Sequence, residues 1–176
     1  MPDFDRAMMP LEYDKICDRL ADCAHTEGAR GLALRLHPSD DADFVRRAQR
    51  ETSDAKKLIG LKGTPAFSDI KDISTALERA DRGASLSMRE LLDIAAVWHT
   101  ARTLLNYYNT DRCSDTMTID VYFERLTENR KAEMRITRSI VSEDMMADEA
   151  SPALADIRRK KRTASNKIKD TLQKYT

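Results

Sequence analysis

The residues best suited to chemistry in this chain are the cations of its last segment. Five basic side chains stand in succession at 158–162, further lysines follow at 167, 169 and 174, and only Asp156 and Asp170 oppose them. A row of cations can neutralise phosphates, each contact adding to a salt-dependent affinity. The solvated flank of a coiled coil shows the same pattern and stays open as the alternative. The candidate nucleic-acid contacts are Arg158, Arg159, Lys160, Arg162, Lys167 and Lys169.

The patterns that mark nucleotide, metal and catalytic sites are missing. A phosphate-binding loop needs glycines followed by Lys-Ser/Thr between a strand and a helix, and the nearest string, at 60–64, has the wrong order. The sequence also lacks a Gly-x-Ser-x-Gly nucleophile, a His-x-x-x-His pair and a Cys-x-x-Cys pair. We therefore expect no catalytic, cofactor-binding or metal-binding residue in this segment. We interpret the isolated histidines and reduced thiols as packing or surface residues: His25, His37, His99, Cys17, Cys23 and Cys113.

The composition predicts a soluble helical protein. The 176 residues include 30 Lys+Arg and 30 Asp+Glu, so the formal net charge is zero, and the chain is long enough for one core. Five glycines and five prolines leave too few turns for a many-stranded sandwich or barrel. No apolar run approaches the length of a membrane span, and the first residues lack the order of a signal peptide. We expect a cytoplasmic protein with no membrane partner.

Helical periodicity and capping residues divide the chain into an all-α array. The patterns predict helices over 11–24, 26–36, from 40 or 41 to about 59, over 70–80, from 87 to about 108, and from 119 to 140 with a break near 126. The sharpest signal is Ser87 with Glu90, a capping box that starts a long helix. Its apolar positions form a seam that we expect to be the spine of the fold, with Trp98 in the core.

The segment 139–149 differs from the rest, because two short runs flank an Asp-containing turn and predict a short β-hairpin. Ser151 and Pro152 then start a final helix, with Ser as the N-cap and Pro at the first helical position. This helix carries an apolar seam that Lys161 and Thr171 interrupt, and it reaches Thr176 without a capping residue. We therefore expect an N-terminal tail at 1–10, a helical core domain at 11–150 and, at 151–176, the start of a long lever or coiled-coil helix that continues elsewhere.

Several motifs recur together in an order that resembles a known family, the bacterial MutS paralogues that carry a C-terminal Smr nuclease domain. The resemblance extends from Leu11 to Thr176 and concerns the N-terminal core and lever region of that family. Its motifs are LEYDKI at 11–16, ETSDA at 51–55, GTPAF at 63–67, LERADRG at 77–83, LLDI at 91–94 and DEASPAL at 148–154.

The resemblance implies a non-catalytic part of a homodimeric, DNA-binding ATPase and endonuclease. ATP, Mg²⁺ and the Smr nuclease would belong to the full-length protein, beyond this segment. The family is linked to suppression of homologous recombination and, in some bacteria, to the rescue of collided ribosomes. Double-stranded or branched DNA and the ribosome or its rRNA are therefore the implied partners. The chain has no Phe-x-Glu motif, so recognition of mismatches is not implied. An alternative hypothesis is a stand-alone helical scaffold or dimerisation module that pairs through its open seams.

Overall fold

A computed structural model describes residues 4–67, 70–110 and 117–173 of the chain. Cys113, Lys174 and most of the polar loop expected after Asn109 lie outside the described residues. The elements run α1 Phe4–Met8, α2 Tyr13–Asp22, α3 Glu27–Leu34, α4 Ala42–Lys62, α5 Ser74–Asp81, α6 Met88–Asn109, α7 Asp120–Glu124, α8 Arg130–Ser139, β1 Ile140–Ser142, β2 Met145–Met146, a 3-10 turn Asp148–Ala150, and α9 Pro152–Gln173. The prediction of an all-α fold with one short hairpin is confirmed.

Helices α2 and α3 form the first hairpin of the fold. Thr26 caps α3, because its hydroxyl accepts a hydrogen bond from the Ala29 amide at 3.2 Å, as the sequence predicts. The α2 helix begins at Tyr13 rather than near position 11, since Glu12 takes a left-handed backbone conformation with φ of 53°. Three residues of this hairpin are buried: Cys17 and Ala21 on α2 and Ala33 on α3.

The next two helices have their own caps. The Asp41 carboxylate starts α4 by accepting from the amides of Asp43 and Phe44 at 2.9 and 3.1 Å. Helix α5 begins at Ser74, four residues later than predicted, because Asp72 accepts from the Ser74 amide and holds the preceding residues out of the helix. Gly83 follows α5 with φ of 85°, the left-handed cap that its position predicts.

Helix α6 contacts α7, α8 and β1 and is the central element of the described fold. Its capping box is present, since the Glu90 amide donates to Ser87 Oγ at 3.2 Å and the Glu90 carboxylate accepts from the Ser87 amide at 2.8 Å. Within the predicted seam Ile94, Ala101 and Tyr108 are buried, whereas Trp98 is half-buried.

Hydrogen bonds join the C-terminal end of α4 to the C-terminal end of α6. Lys62 Nζ donates to the carbonyls of Tyr107 at 3.2 Å, Tyr108 at 2.9 Å and Thr110 at 2.5 Å, so an ammonium group satisfies acceptors that the helix leaves unpaired. Leu58 packs beside this contact with Met117 and Ile119 in a small buried cluster. Together these contacts fix α4 against the second half of α6.

Helix α8 is held on α6 by a buried carboxylate. Glu133 is 7% exposed, and it accepts from Arg102 Nη2 at 2.8 Å, from Arg102 Nε at 3.2 Å, and lies 3.1 Å from His99 Nδ1. The Arg102 hydrogen bonds, acting against the cost of burial, keep the pKa of Glu133 below its usual value. The cluster joins the middle of α6 to the first turn of α8.

The predicted β-hairpin follows α8 directly. Strands β1 and β2 are antiparallel, with Ile140 opposite Met146 and Ser142 opposite Met145. Ile140 is buried, so the hairpin is anchored to the core, while the rest of both strands is exposed. No helix in the described ranges combines the length and apolar character needed to cross a lipid bilayer.

Candidate nucleic-acid interface

Helix α9 carries all six predicted nucleic-acid contacts, and it packs against the 3-10 turn that precedes it. Ser151 Oγ accepts from the Leu154 amide at 3.1 Å, which confirms the predicted N-cap. None of the residues Pro152–Gln173 is buried. At 1.5 Å per residue the 22 residues of α9 extend about 33 Å.

The first candidate, Arg158, is a structural tether. Its guanidinium donates to the Met146 carbonyl at 2.8 Å and pairs with the Asp148 carboxylate, so one side chain joins α9 to both the hairpin and the 3-10 turn. Arg162, one turn further along α9, lies 3.5 Å from the other oxygen of Asp148. Hydrogen bonding from Arg158, reinforced by the charges of both arginines, lowers the pKa of Asp148. Asp148 therefore stays ionised and anchors the base of α9.

Arg159 and Lys160 share a different acid. Asp156 accepts from Arg159 Nη2 at 2.5 Å and lies 2.8 Å from Lys160 Nζ, at spacings of three and four residues along the helix. Both cations are three-quarters exposed. Exposed pairs of this kind contribute little to stability, so both side chains can exchange Asp156 for another anion.

Lys167 and Lys169 are exposed on the second half of α9, and neither forms an ion pair with any residue in the described ranges. They do not share one face with each other. At 100° per residue, Lys169 falls within about 40° of Arg158 and Arg162, whereas Lys160 and Lys167 fall on the nearly opposite side. Five of the six candidates therefore lie in two rows along the helix, and Arg159, about 60° from Arg162 and about 80° from Lys167, lies between the rows.

An apolar seam separates these two rows. Its members Ile157, Ile168 and Leu172 are 62%, 61% and 63% exposed, and Leu154 and Ala164 continue it at spacings of three and four residues. Cations that flank an apolar seam on both sides occupy the positions of a coiled coil that face the charges of a partner helix. The geometry therefore favours a helix-pairing role for α9, and it leaves Lys167 and Lys169 as the candidates with the least engaged charges.

Two features of this region have no signal in the sequence pattern. Asp148 is a helix-start acid by position, and its role as the anchor of α9 depends on the return of the chain through the hairpin. Glu133 and Arg102 are 31 residues apart, a separation that no local periodicity connects. Within residues 4–67, 70–110 and 117–173, no three His, Cys, Asp or Glu side chains converge as metal ligands do.

Comparison with known proteins finds similarity over nearly the whole chain. The chain is 41% identical over 170 residues to a protein of Acetivibrio thermocellus named endonuclease MutS2, a match that covers 96% of this chain and 21% of that protein. Proteins with the same name from Ruminiclostridium cellulolyticum and Halothermothrix orenii are 38% and 33% identical, each over 92% of this chain and 21% of the relative. The chain thus spans about a fifth of the length of these relatives. No family model matches it.

Proposed function

We propose that this chain is the N-terminal core and the first lever arm of a MutS-like protein of the endonuclease MutS2 type. The observation that carries the proposal is the 41% identity over 96% of the chain. The all-α core and the exposed helix α9, tethered at its base, are the architecture expected of such a part. The segment itself is non-catalytic in this proposal, because its residues form packing, capping and ion-pair contacts.

The activity of the whole protein would come from the remaining four-fifths of the relatives' length. We assign ATP and Mg²⁺ binding and an Smr nuclease domain to that part. The complete protein would act in the cytoplasm as a homodimer on double-stranded or branched DNA and on the ribosome or its rRNA. Its biological roles would be the suppression of homologous recombination and the rescue of collided ribosomes.

The contacts at the base of α9 support a mechanical role for this segment. A force on α9 reaches Asp148 and the Met146 carbonyl through Arg158. It passes from the hairpin to α6 and α8, since both helices contact β1 around the buried Ile140. Because α6 and α8 are further joined by Glu133, the movement of α9 and the position of the core are coupled through a short chain of polar and packing contacts.

A chimaera tests the proposed function. The fifth of the Acetivibrio thermocellus protein that matches this chain is replaced by the 176 residues, and ATP hydrolysis and nuclease activity are measured. We expect both activities to remain, because the core and lever surfaces would be equivalent. The same relative without its matching fifth serves as the control and should lose coupled activity. A folded chimaera that is no more active than this control would refute the proposal.

The exposed seam of α9 also fits a self-contained dimerisation module. Analytical ultracentrifugation of the 176-residue chain separates the two functions. A monomer at micromolar concentration supports the lever arm, whose partner surface lies elsewhere in a longer protein. A tight dimer that dissociates when Ile168 is replaced by aspartate would support the scaffold instead.

A further inference from the structure

Two acids of helix α4 accept hydrogen bonds from the chain around α7. The Glu51 carboxylate accepts from the Tyr122 hydroxyl at 3.1 Å, and Asp54 accepts from the amide and the hydroxyl of Thr118, both at 2.7 Å. The hydrogen bonds from Thr118, reinforced by the charges of Lys57 and Arg50, lower the pKa of Asp54. Both acids therefore lie on the side of α4 that packs against the chain around α7, where Ala55 and Leu58 join the small buried cluster.

Four of the six basic residues of α4 lie in one sector of the helix. At 100° per residue, Arg46, Arg50, Lys56 and Lys57 fall within a sector of about 120°, facing away from Ala55 and Leu58. All four are exposed. We define this set as the α4 basic face: Arg46, Arg50, Lys56 and Lys57. It extends about 16 Å along the helix axis, from Arg46 to Lys57.

Three cations of the α4 basic face, Arg46, Arg50 and Lys56, are accessible to an external anion. Arg46 Nη1 lies 3.1 Å from Asp43, but their side chains are 68% and 94% exposed, so water and salt compete with the pair. Arg50 and Lys56 form neither a hydrogen bond nor an ion pair with any residue in the described ranges. Arg47 lies outside this face, on the side of Tyr122, and its guanidinium is 5.9 Å from the centre of the Phe44 ring.

The composition of this face indicates the class of its partner. The residues between the cations are Gln49, Ser53 and Gly60, so the face has no apolar seam, unlike α9. Stable protein interfaces bury an apolar centre surrounded by polar residues, and the α4 basic face has no such centre. A nucleic-acid backbone requires only cations and polar groups in register with its phosphates.

We propose that the α4 basic face binds the phosphate backbone of duplex nucleic acid without regard to sequence. In double-stranded DNA each strand carries one phosphate about every 3.4 Å of helix axis, so a face about 16 Å long covers several phosphates. The ligand class, nucleic acid, rests on the proposed function. The nucleic-acid contact is placed on α4 in the core, whereas the sequence alone predicts it on α9. There the bound duplex would lie on a rigid helix, and α9 would remain available for helix pairing.

Fluorescence anisotropy with a labelled 20-base-pair duplex of mixed sequence tests this site in the 176-residue chain. The variant replaces three cations of the face: Arg46→Gln, Arg50→Gln and Lys56→Gln. A control with the same net charge carries Arg30→Gln, Arg82→Gln and Arg89→Gln, which are exposed cations outside α4. A second control carries Lys160→Gln, Lys167→Gln and Lys169→Gln on α9. Circular dichroism verifies that all variants keep the helical content of the parent.

We expect the α4 variant alone to lose affinity and salt dependence. If three phosphate contacts are removed, the slope of log K against log salt becomes less steep by about 2.7. Between 50 and 200 mM salt, the parent then loses about 40-fold more affinity than the variant does.

Each other outcome overturns the proposal in a distinguishable way. Equal losses in all three variants would indicate a response to net charge. A loss in the α9 variant with an unchanged α4 variant would place the contact on the lever arm and leave the proposed function intact. Binding of poly-glutamate but not of the duplex would assign the face to an acidic protein. If the parent chain binds no duplex while the chimaera is active, the inference fails and the proposed function stands; failure of both experiments rejects both.

Discussion

Replacing Glu133 with glutamine tests the cluster that holds α8 on α6. The carboxylate is 7% exposed and accepts two hydrogen bonds from Arg102, at 2.8 and 3.2 Å. Glutamine has nearly the same size, but only one of its terminal atoms accepts, while the guanidinium offers donors alone. The variant therefore loses at least one hydrogen bond to a charged group. We expect the free energy of unfolding to fall by about 2 kcal/mol.

Thermal denaturation followed by circular dichroism measures this change. A loss of about 2 kcal/mol corresponds to a decrease in Tm of about 4 to 8 °C for a chain of this length. The matched control is Glu124→Gln on α7, an exposed acid whose replacement should change the stability by less than about 0.5 kcal/mol.

The same cluster has a defined pH dependence. Because Arg102 lowers the pKa of Glu133 in the folded protein below its usual 4.5, the stabilisation is complete above pH 4.5 and is lost as the pH falls through the lower, folded value. The Tm difference between the protein and the glutamine variant should be largest near neutral pH and shrink in acid. Equal Tm values at pH 7, or a difference that grows in acid, would refute the assigned role of the cluster.

Three further substitutions test other contacts. Ser87→Ala removes the capping box and should lower the stability by about 1 kcal/mol in urea titrations, whereas Ser85→Ala should have little effect; equal losses would contradict the assignment. Lys62→Met leaves the carbonyls at the end of α6 without their ammonium donor and should cost about 1 kcal/mol, with Lys15→Met as an exposed control that stays near the parent value. Arg158→Ala should speed amide exchange in the first turns of α9 yet leave the salt slope of duplex binding unchanged, and a slope less steep by about 0.9 would identify Arg158 as a phosphate contact instead.

The elements with local signals could be predicted from the sequence. Thr26, Ser87 and Ser151 each lie at a helix start with a partner amide three residues away, so the cap and its acceptor are encoded within one turn. The hairpin at Ile140–Ser142 and Met145–Met146 was likewise predictable from two short runs around a turn. Two helices begin later than predicted. Glu12 takes a left-handed conformation before α2, and Asp72 accepts a hydrogen bond from the Ser74 amide at the start of α5.

The contacts between distant elements could not be predicted. The run of cations at 158–162 indicates only charge. Which of them pair with Asp148 and which with Asp156 depends on where these two acids lie in space. The environment of Glu51 and Asp54 on α4 depends in the same way on Tyr122 and Thr118, their hydrogen-bond donors, which lie more than 60 residues further along the chain. Periodicity identifies the polar positions of a helix. Only the fold shows which acids at those positions accept hydrogen bonds from other parts of the chain.

Hydrogen exchange along α9 tests the central claim, that this helix is one arm of a lever completed by the rest of a longer protein. Amide exchange is measured for residues 163–173 in the 176-residue chain and in the Acetivibrio thermocellus chimaera. We predict at least about tenfold slower exchange in the chimaera, because a partner helix would cover Ile168 and Leu172 there. Equal exchange rates in the two proteins would contradict the lever assignment.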